Sequence, residues 1–244
     1  RNLLHKYHQR KVFKYATDFW TCNQDSDLWF FGKASEELPN YRVIYNAIDL
    51  DYFAPSDEVR KDYRSKLNIS NEILLGHDGR FHYQKNQEFL IKVMNELNQR
   101  YPDKYKLILI GQGESMKMIQ DMINEYHLQN SVILPGVVSN VNDYLQAMDI
   151  FCFPSLFEGL GLSLVEAEAN GLPCGISNTI PKEAVVNKAV DALGIEDSNI
   201  NEWVDSIEAF SKTSKCLNRE DFINNHYDID LEAKVVQDIL LQTN

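Results

Sequence analysis

In the stretch FPSLFEGLGLSLVEAEANGLP, residues 153–173, Glu158 and Glu166 flank Gly159, Gly161 and Ser163. FPS reads as the end of an apolar strand, and LSLVEAEANG as a helix that closes at Gly171 before Pro173. The amides near Gly161, Leu162 and Ser163 then lie at a helix N-terminus. That position suits phosphate oxygens, and the glycines let a ligand approach closely. Glu166, about one turn further in, is placed to accept hydrogen bonds from a vicinal diol such as a ribose, and Glu158 suits sugar hydroxyls. A blander reading makes the two glutamates a cap and a helix-dipole partner, which leaves unexplained why the loop is so poor in other polar side chains. Glu168 points away from Glu166 on a helix and reads as structural. A glycosidase pair is a rival that spacing leaves open, although such acids usually come from separate strand ends.

Other loops carry complementary groups. GHDGRFHYQKN follows a strand, with Gly79 freeing the backbone, Arg80 at the strand end and Lys85 at the mouth of the next helix. Two cations beside a helix N-terminus suit a diphosphate, and ordinary surface charge is an equal competitor. His77, Asp78 and His82 in the same loop form only a weak metal pattern, and no metal site is expected. GQGE, residues 111–114, marks a tight turn against which a base or ribose could lie, or a plain connection. GVVSN, residues 136–140, has no charge and offers only main-chain groups around Val137 and Val138.

The elements that must hold these loops alternate regularly. EILLGHDG, YKLILIG, SVILPG, DIFCFPS and PCGIS read as strands, the last of them closing the series. Between them, QKNQEFLIKVMNELNQRY, ESMKMIQDMINEYHL, NVNDYLQAM and LSLVEAEANG read as helices. Continuous apolar strands each followed by a helix predict an α/β, doubly wound parallel sheet of Rossmann-like type over about residues 42–212. Ligands of such sheets sit outside the carboxyl ends of the strands, where these loops lie. Upstream, a helix to about Ala16, a short strand DFWTCN, a helical QDSDLWFFGKAS, a strand YRVIYNAID and a charged helix over residues 57–68 are expected. LEAKVVQDILLQ is an amphipathic helix expected to pack on the domain.

With 244 residues, 44% hydrophobic content and a net charge of -12, the chain has ample material for a core and no basic stripe for nucleic acid. The exception is RNLLHKYHQRKVFK, whose five cations precede any acid; it fits a membrane-surface helix or a solvated basic face. Four scattered cysteines show no CxxC pair, and Cys152 and Cys174, inside apolar strand-like runs, read as buried free thiols in a reducing compartment. No segment reads as a signal peptide or a membrane span, so a cytoplasmic location is expected, and the initial Arg1 reads as the sign of a fragment.

Together, GRFHYQKN, LILIGQGE, VILPGVVSNV and AMDIFCFPSLFEGLGLSLVEAEANGLP resemble, in order, the motifs of retaining GT-B-fold glycosyltransferases of family 4. FEGLGLSLVE fits that family's E-x7-E motif. VIYNAIDLDYF is similar to its hinge segment, with Ala47 in place of the usual glycine. The wording is closest in style to bacterial capsular and exopolysaccharide transferases. The resemblance implies a hexosyltransferase-type enzyme whose C-terminal, donor-binding half is this chain. Residues 1–41 would be the remnant of an N-terminal acceptor domain that is otherwise missing, and residues 213–244 a helical extension. Carried over by position, Arg80 and Lys85 grip the donor diphosphate beside Gly79, and the amides of Gly161, Leu162 and Ser163 assist them. Glu166 binds the nucleotide ribose, Glu158 the transferred sugar beside Gly159, and the backbone at Val137 and Val138 meets the base. Glu158, Arg80 and Lys85 would be the catalytic set. The resemblance implies a nucleotide-sugar donor, in all expectation a UDP-sugar, a saccharide or lipid-linked acceptor, and no cofactor or metal. The strings Asp49-Leu50-Asp51 and Asp228-Ile229-Asp230 are therefore not read as metal motifs. Two alternatives share the diphosphate site: a non-catalytic donor-binding subunit of a split enzyme, and a sugar-nucleotide epimerase of similar fold.

Overall fold

The computed structural model describes residues 2–22, 31 and 40–242. In chain order the elements are α1 (Asn2–Tyr15), β1 (Phe19–Thr21), β2 (Tyr41–Val43), α2 (Leu50–Phe53), α3 (Asp57–Lys66), β3 (Ile73–Asp78) and α4 (Gln87–Arg100). They continue with β4 (Tyr105–Ile110), α5 (Met116–Glu125), β5 (Val132–Gly136), α6 (Val141–Ala147), β6 (Ile150–Phe153) and α7 (Leu162–Ala169). The series ends with β7 (Cys174–Ser177), β8 (Val190–Leu193), α8 (Ile200–Phe210), α9 (Arg219–Asn224) and α10 (Ile229–Gln242). Short 3-10 turns cover Tyr83–Lys85, Lys182–Ala184 and Asp197–Asn199.

The chain forms two compact units, one of residues 50–222 and one of residues 1–49 with 223–244. In the larger unit, six strands make a parallel sheet in the order β5-β4-β3-β6-β7-β8. Adjacent residues of each inner strand feed opposite layers, as a sheet covered on both faces requires. Leu75, Leu107, Leu109 and Cys152 join Phe89, Val93, Leu97 and Trp203 on one face. Leu74, Ile108, Ile110, Phe151 and Phe153 join Leu164, Ala167 and Ile180 on the other. The expected doubly wound sheet is present, with two corrections. PCGIS is not the last strand, because β8 follows at the sheet edge, pairing Cys174–Ser177 with Val190–Leu193. In YRVIYNAID the continuous strand covers only Tyr41–Val43.

The smaller unit pairs β1 with β2 in parallel and adds a single bridge from Ile48 to Asp228. Helix α10 groups with this unit and not with the sheet on which it was expected to pack. The expected helix in QDSDLWFFGKAS lies almost wholly outside the described residues.

The C-terminus of α6 is held by an ionic clamp. Arg60 donates to the carbonyls of Gln146, Ala147 and Met148, and Lys215 to those of Leu145 and Gln146. Asp149 pairs with Arg60 and Arg64 and accepts from the Leu74 amide at 2.7 Å, tying α3 and α6 to the start of β3. Cations at a helix C-terminus satisfy its last carbonyls and oppose its dipole. The clamp fixes the amino ends of β3 and β6, the strands whose carboxyl ends carry the loops described next.

Candidate donor site at the carboxyl ends of the strands

β3 and β6 are neighbours in the sheet, in register from Leu75 with Ile150, so the loops leaving their carboxyl ends must meet. Lys85, at the end of the 3-10 turn, places Nζ 2.7 Å from Glu158 Oε1; their side chains are 18% and 8% exposed. The ammonium also lies over the Phe153 ring, 4.9 Å from its centroid. The two residues assigned separately to diphosphate and sugar thus arrive as one nearly buried ion pair.

Arg80 does not share that pair. Its side chain is 71% exposed and reaches Glu114 at 3.7 Å, while its carbonyl accepts from Gln87 Nε2 at 3.0 Å. His82 also approaches Glu114, at 3.3 Å, and its Nδ1 accepts from the Gln84 amide, capping the 3-10 turn. His77 is buried, with Nδ1 2.9 Å from the Cys152 carbonyl, and burial pulls its pKa down to about 4. His77 and His82 therefore have separate structural partners. Among the described residues no cluster of three His, Cys, Asp or Glu is arranged to hold a metal.

On the α7 side, Gly161 caps the helix in the left-handed conformation, φ 81°, with no side chain covering the first-turn amides. The Leu164 and Val165 amides donate to the Gly161 carbonyl, whereas those of Leu162 and Ser163 come before the first intrahelical bond. Ser163 Oγ donates to Asp78 Oδ2 at 3.4 Å, joining the end of β3 to the first turn of α7. Glu166 is half-buried, and its pKa is raised to about 7 by burial and then by the neighbouring Asp78 charge. Asp78 itself is raised, mainly by burial. A Cβ at Gly159 would meet no atom within 4 Å, whereas one at Gly79 would touch Lys85 Cε at 3.2 Å. Val137 is 67% exposed, and Val138 packs against the core beside it.

The structure thus collects Gly79, Lys85, Glu158, Gly159, Gly161, Leu162, Ser163 and Glu166 along the facing ends of β3, β6 and α7. Arg80 lies on the rim toward the β4 loop, and Val137 and Val138 lie beyond it after β5. Two neighbours escaped the sequence reading. Asp78 was weighed only as a metal ligand, although an acid ending an apolar strand at this edge was the available signal. Gln84 gave none, because its side-chain partners are more than seventy residues away. The glycines of GQGE also have a different cause from ligand approach. A Cβ at Gly111 would stand 2.3 Å from the Gly79 carbonyl oxygen and one at Gly113 2.2 Å from that of Phe81, so the β3 and β4 loops need them to pack.

Residues 59–228 match the family model described as glycosyl transferases group 1. The chain belongs to this family. It is 30% identical over 201 residues to the putative glycosyltransferase EpsF of Bacillus subtilis, covering 82% of this chain and 52% of that protein. It is 29% identical over 170 residues to an Escherichia coli UDP-Gal:alpha-D-GlcNAc-diphosphoundecaprenol alpha-1,3-galactosyltransferase, covering 68% of this chain and 43% of that one. The chain therefore spans about half the length of these relatives. In three dimensions it resembles the Anabaena HepE structure solved with UDP, with a TM-score of 0.80 and 22% identity over 98% of this chain and 67% of that one. That likeness gives the fold, the C-terminal half of a GT-B architecture. No helix among the described residues is long and apolar enough to cross a membrane.

Proposed function

We propose that the chain is the donor-binding part of a retaining glycosyltransferase that moves a sugar from a UDP-sugar to a saccharide or lipid-linked acceptor in bacterial capsular or exopolysaccharide biosynthesis. In this reading residues 1–41 end the acceptor domain, 42–212 form the donor domain and 213–244 are an extension. The enzyme works in the cytoplasm, at the inner membrane face when its acceptor is lipid-linked. The observation that carries the reading is the junction of β3, β6 and α7. There a cation-carboxylate pair, uncapped helix amides and a half-buried carboxylate come together, groups that suit in turn the sugar, the diphosphate and the ribose of such a donor. The donor named for the E. coli relative and the UDP bound to HepE support a uridine nucleotide.

Each residue then has a distinct task. Transfer breaks the bond between the anomeric carbon and the diphosphate oxygen and forms one to an acceptor hydroxyl, whose proton passes to the departing diphosphate. The charge that grows on the leaving diphosphate meets Lys85 and the amides of Gly161, Leu162 and Ser163, which are held in place before it develops, and Arg80 from the rim. Glu158 holds sugar hydroxyls and Glu166 the ribose; neither is assigned as general acid or base. Because protein cations and helix amides supply the electrophilic assistance, the transfer is proposed to need no metal. A thermal-shift panel of nucleotide-sugars tests the donor assignment. One UDP-sugar, well above its dissociation constant, should raise the melting temperature by a few °C. No shift with any of them would contradict it. Proton NMR of the product's anomeric centre tests retention.

A further inference from the structure

Gln84 precedes Lys85 and has no role in the scheme above, yet it joins the two catalytic loops. Its carbonyl accepts from the Leu156 amide at 2.8 Å. Its side-chain Nε2 donates to the Phe157 carbonyl at 2.8 Å and reaches Glu158 Oε2 at 3.3 Å. Lys85 meanwhile donates to Glu158 Oε1, and Asn86 Nδ2 donates to the Pro154 carbonyl at 3.3 Å. Residues 84–86 are thereby laced to residues 154–158, and each oxygen of the Glu158 carboxylate faces one protein donor. A carboxylate accepts about four hydrogen bonds, so each oxygen keeps a free lone-pair direction for a ligand hydroxyl.

We propose that Gln84 is a positioning residue for the donor's sugar: its side-chain amide fixes the loop of residues 156–158 and Glu158 Oε2, so that the carboxylate meets the sugar hydroxyls in one orientation. This rests on the reading of the site as a nucleotide-sugar site. The chemistry of the side chain is particular. Asparagine is one methylene too short to span the two loops. Glutamate would set a second carboxylate against Glu158, and lysine would compete with Lys85 for it. Because Gln84 and Lys85 already restrict Glu158, the rotamer freedom lost on binding the sugar is removed before the donor arrives. The nucleotide half of the donor lies toward Arg80, Glu166 and the first turn of α7, which Gln84 does not touch. Its loss therefore affects the sugar and spares the nucleotide.

The test compares binding of UDP with binding of whichever of UDP-glucose, UDP-galactose and UDP-GlcNAc the unmodified full-length protein holds most tightly. Gln84→Met keeps the length and the main-chain bond to Leu156 but removes the donor. It should leave the Kd for UDP within about twofold and raise that for the UDP-sugar about tenfold, the usual scale for a hydrogen bond to a charged group. Gln84→Glu at pH 8 should show a larger sugar-specific loss, a difference that a merely structural role would not produce. If Gln84→Met fails to fold, Gln84→Glu carries the same comparison. Equal weakening of both ligands, or weakening of neither, would overturn the inference alone. An unmodified protein that binds neither UDP nor any of the three sugars would overturn the donor-site reading, and this inference with it.

Discussion

Glu166 sits one turn into α7 with its carboxyl half out of water and Asp78 nearby, and its pKa rises from 4.5 to about 7. The native state holds this proton more tightly than the unfolded chain does. The group therefore favours folding below about pH 4.5 and loses that contribution as the pH climbs through about 7. Glu166→Gln should accordingly stabilise the unliganded protein at pH 8 by about 1–2 kcal/mol, after allowance for its exposed part, with the gain vanishing near pH 4.5. Thermal melts at the two pH values check this; equal melting temperatures at pH 8 would show that the carboxyl is well solvated. Function runs the other way, because an amide offers one acceptor oxygen to two ribose hydroxyls. UDP affinity of the unmodified protein should therefore weaken as the pH falls through 7, and Asp78→Asn should move that midpoint toward acid.

At the scale of elements, the site depends on backbone contacts between loops. The amides of Gly79 and Phe81 donate to the carbonyls of Ile110 and Gln112, so the β3 and β4 loops run side by side with no room for a Cβ at Gly113. Gly113→Ala should destabilise by at least about 2 kcal/mol, read from denaturant midpoints, since main chain must move to relieve the clash. Asp149→Asn removes the partner of Arg60 and Arg64, both partly buried, and should cost about 2–3 kcal/mol. Unchanged denaturation midpoints would rule out the clamp's role.

What the sequence revealed at this scale follows the same physics. Strands β3, β4, β6 and β7 are inner strands, largely buried on both faces, and so read as continuous apolar runs. β8, an edge strand of sequence VDAL whose Asp191 accepts from Ser206, carries no such run and was missed. Residue type and spacing singled out Glu158, Lys85 and the α7 N-terminus as candidates, and their roles came from the family resemblance. The ion pair of Lys85 with Glu158 and the link to Gln84 were not legible, because these contacts depend on the pairing of β3 with β6.

For the whole molecule, the main tension is that a chain of net charge -12 is assigned an anionic ligand. Local geometry resolves it, because Lys85 and an uncapped helix N-terminus lie where the strands end, with Arg80 on the rim. Such an interaction is screened by salt, so UDP affinity should fall as ionic strength rises. Treatment of the full-length enzyme with EDTA should leave transfer unchanged; loss of activity restored by a divalent cation would refute metal independence. The chain spans about half the length of its relatives, and its donor site can be tested directly.

The decisive measurement is a calorimetric titration of UDP into the unmodified protein, Arg80→Ala and Glu166→Ala. The unmodified protein should bind UDP, and each substitution should weaken binding by about tenfold or more, as loss of a charged hydrogen-bond partner does. Unchanged affinity in both variants would contradict the assignment of this strand edge as the nucleotide site.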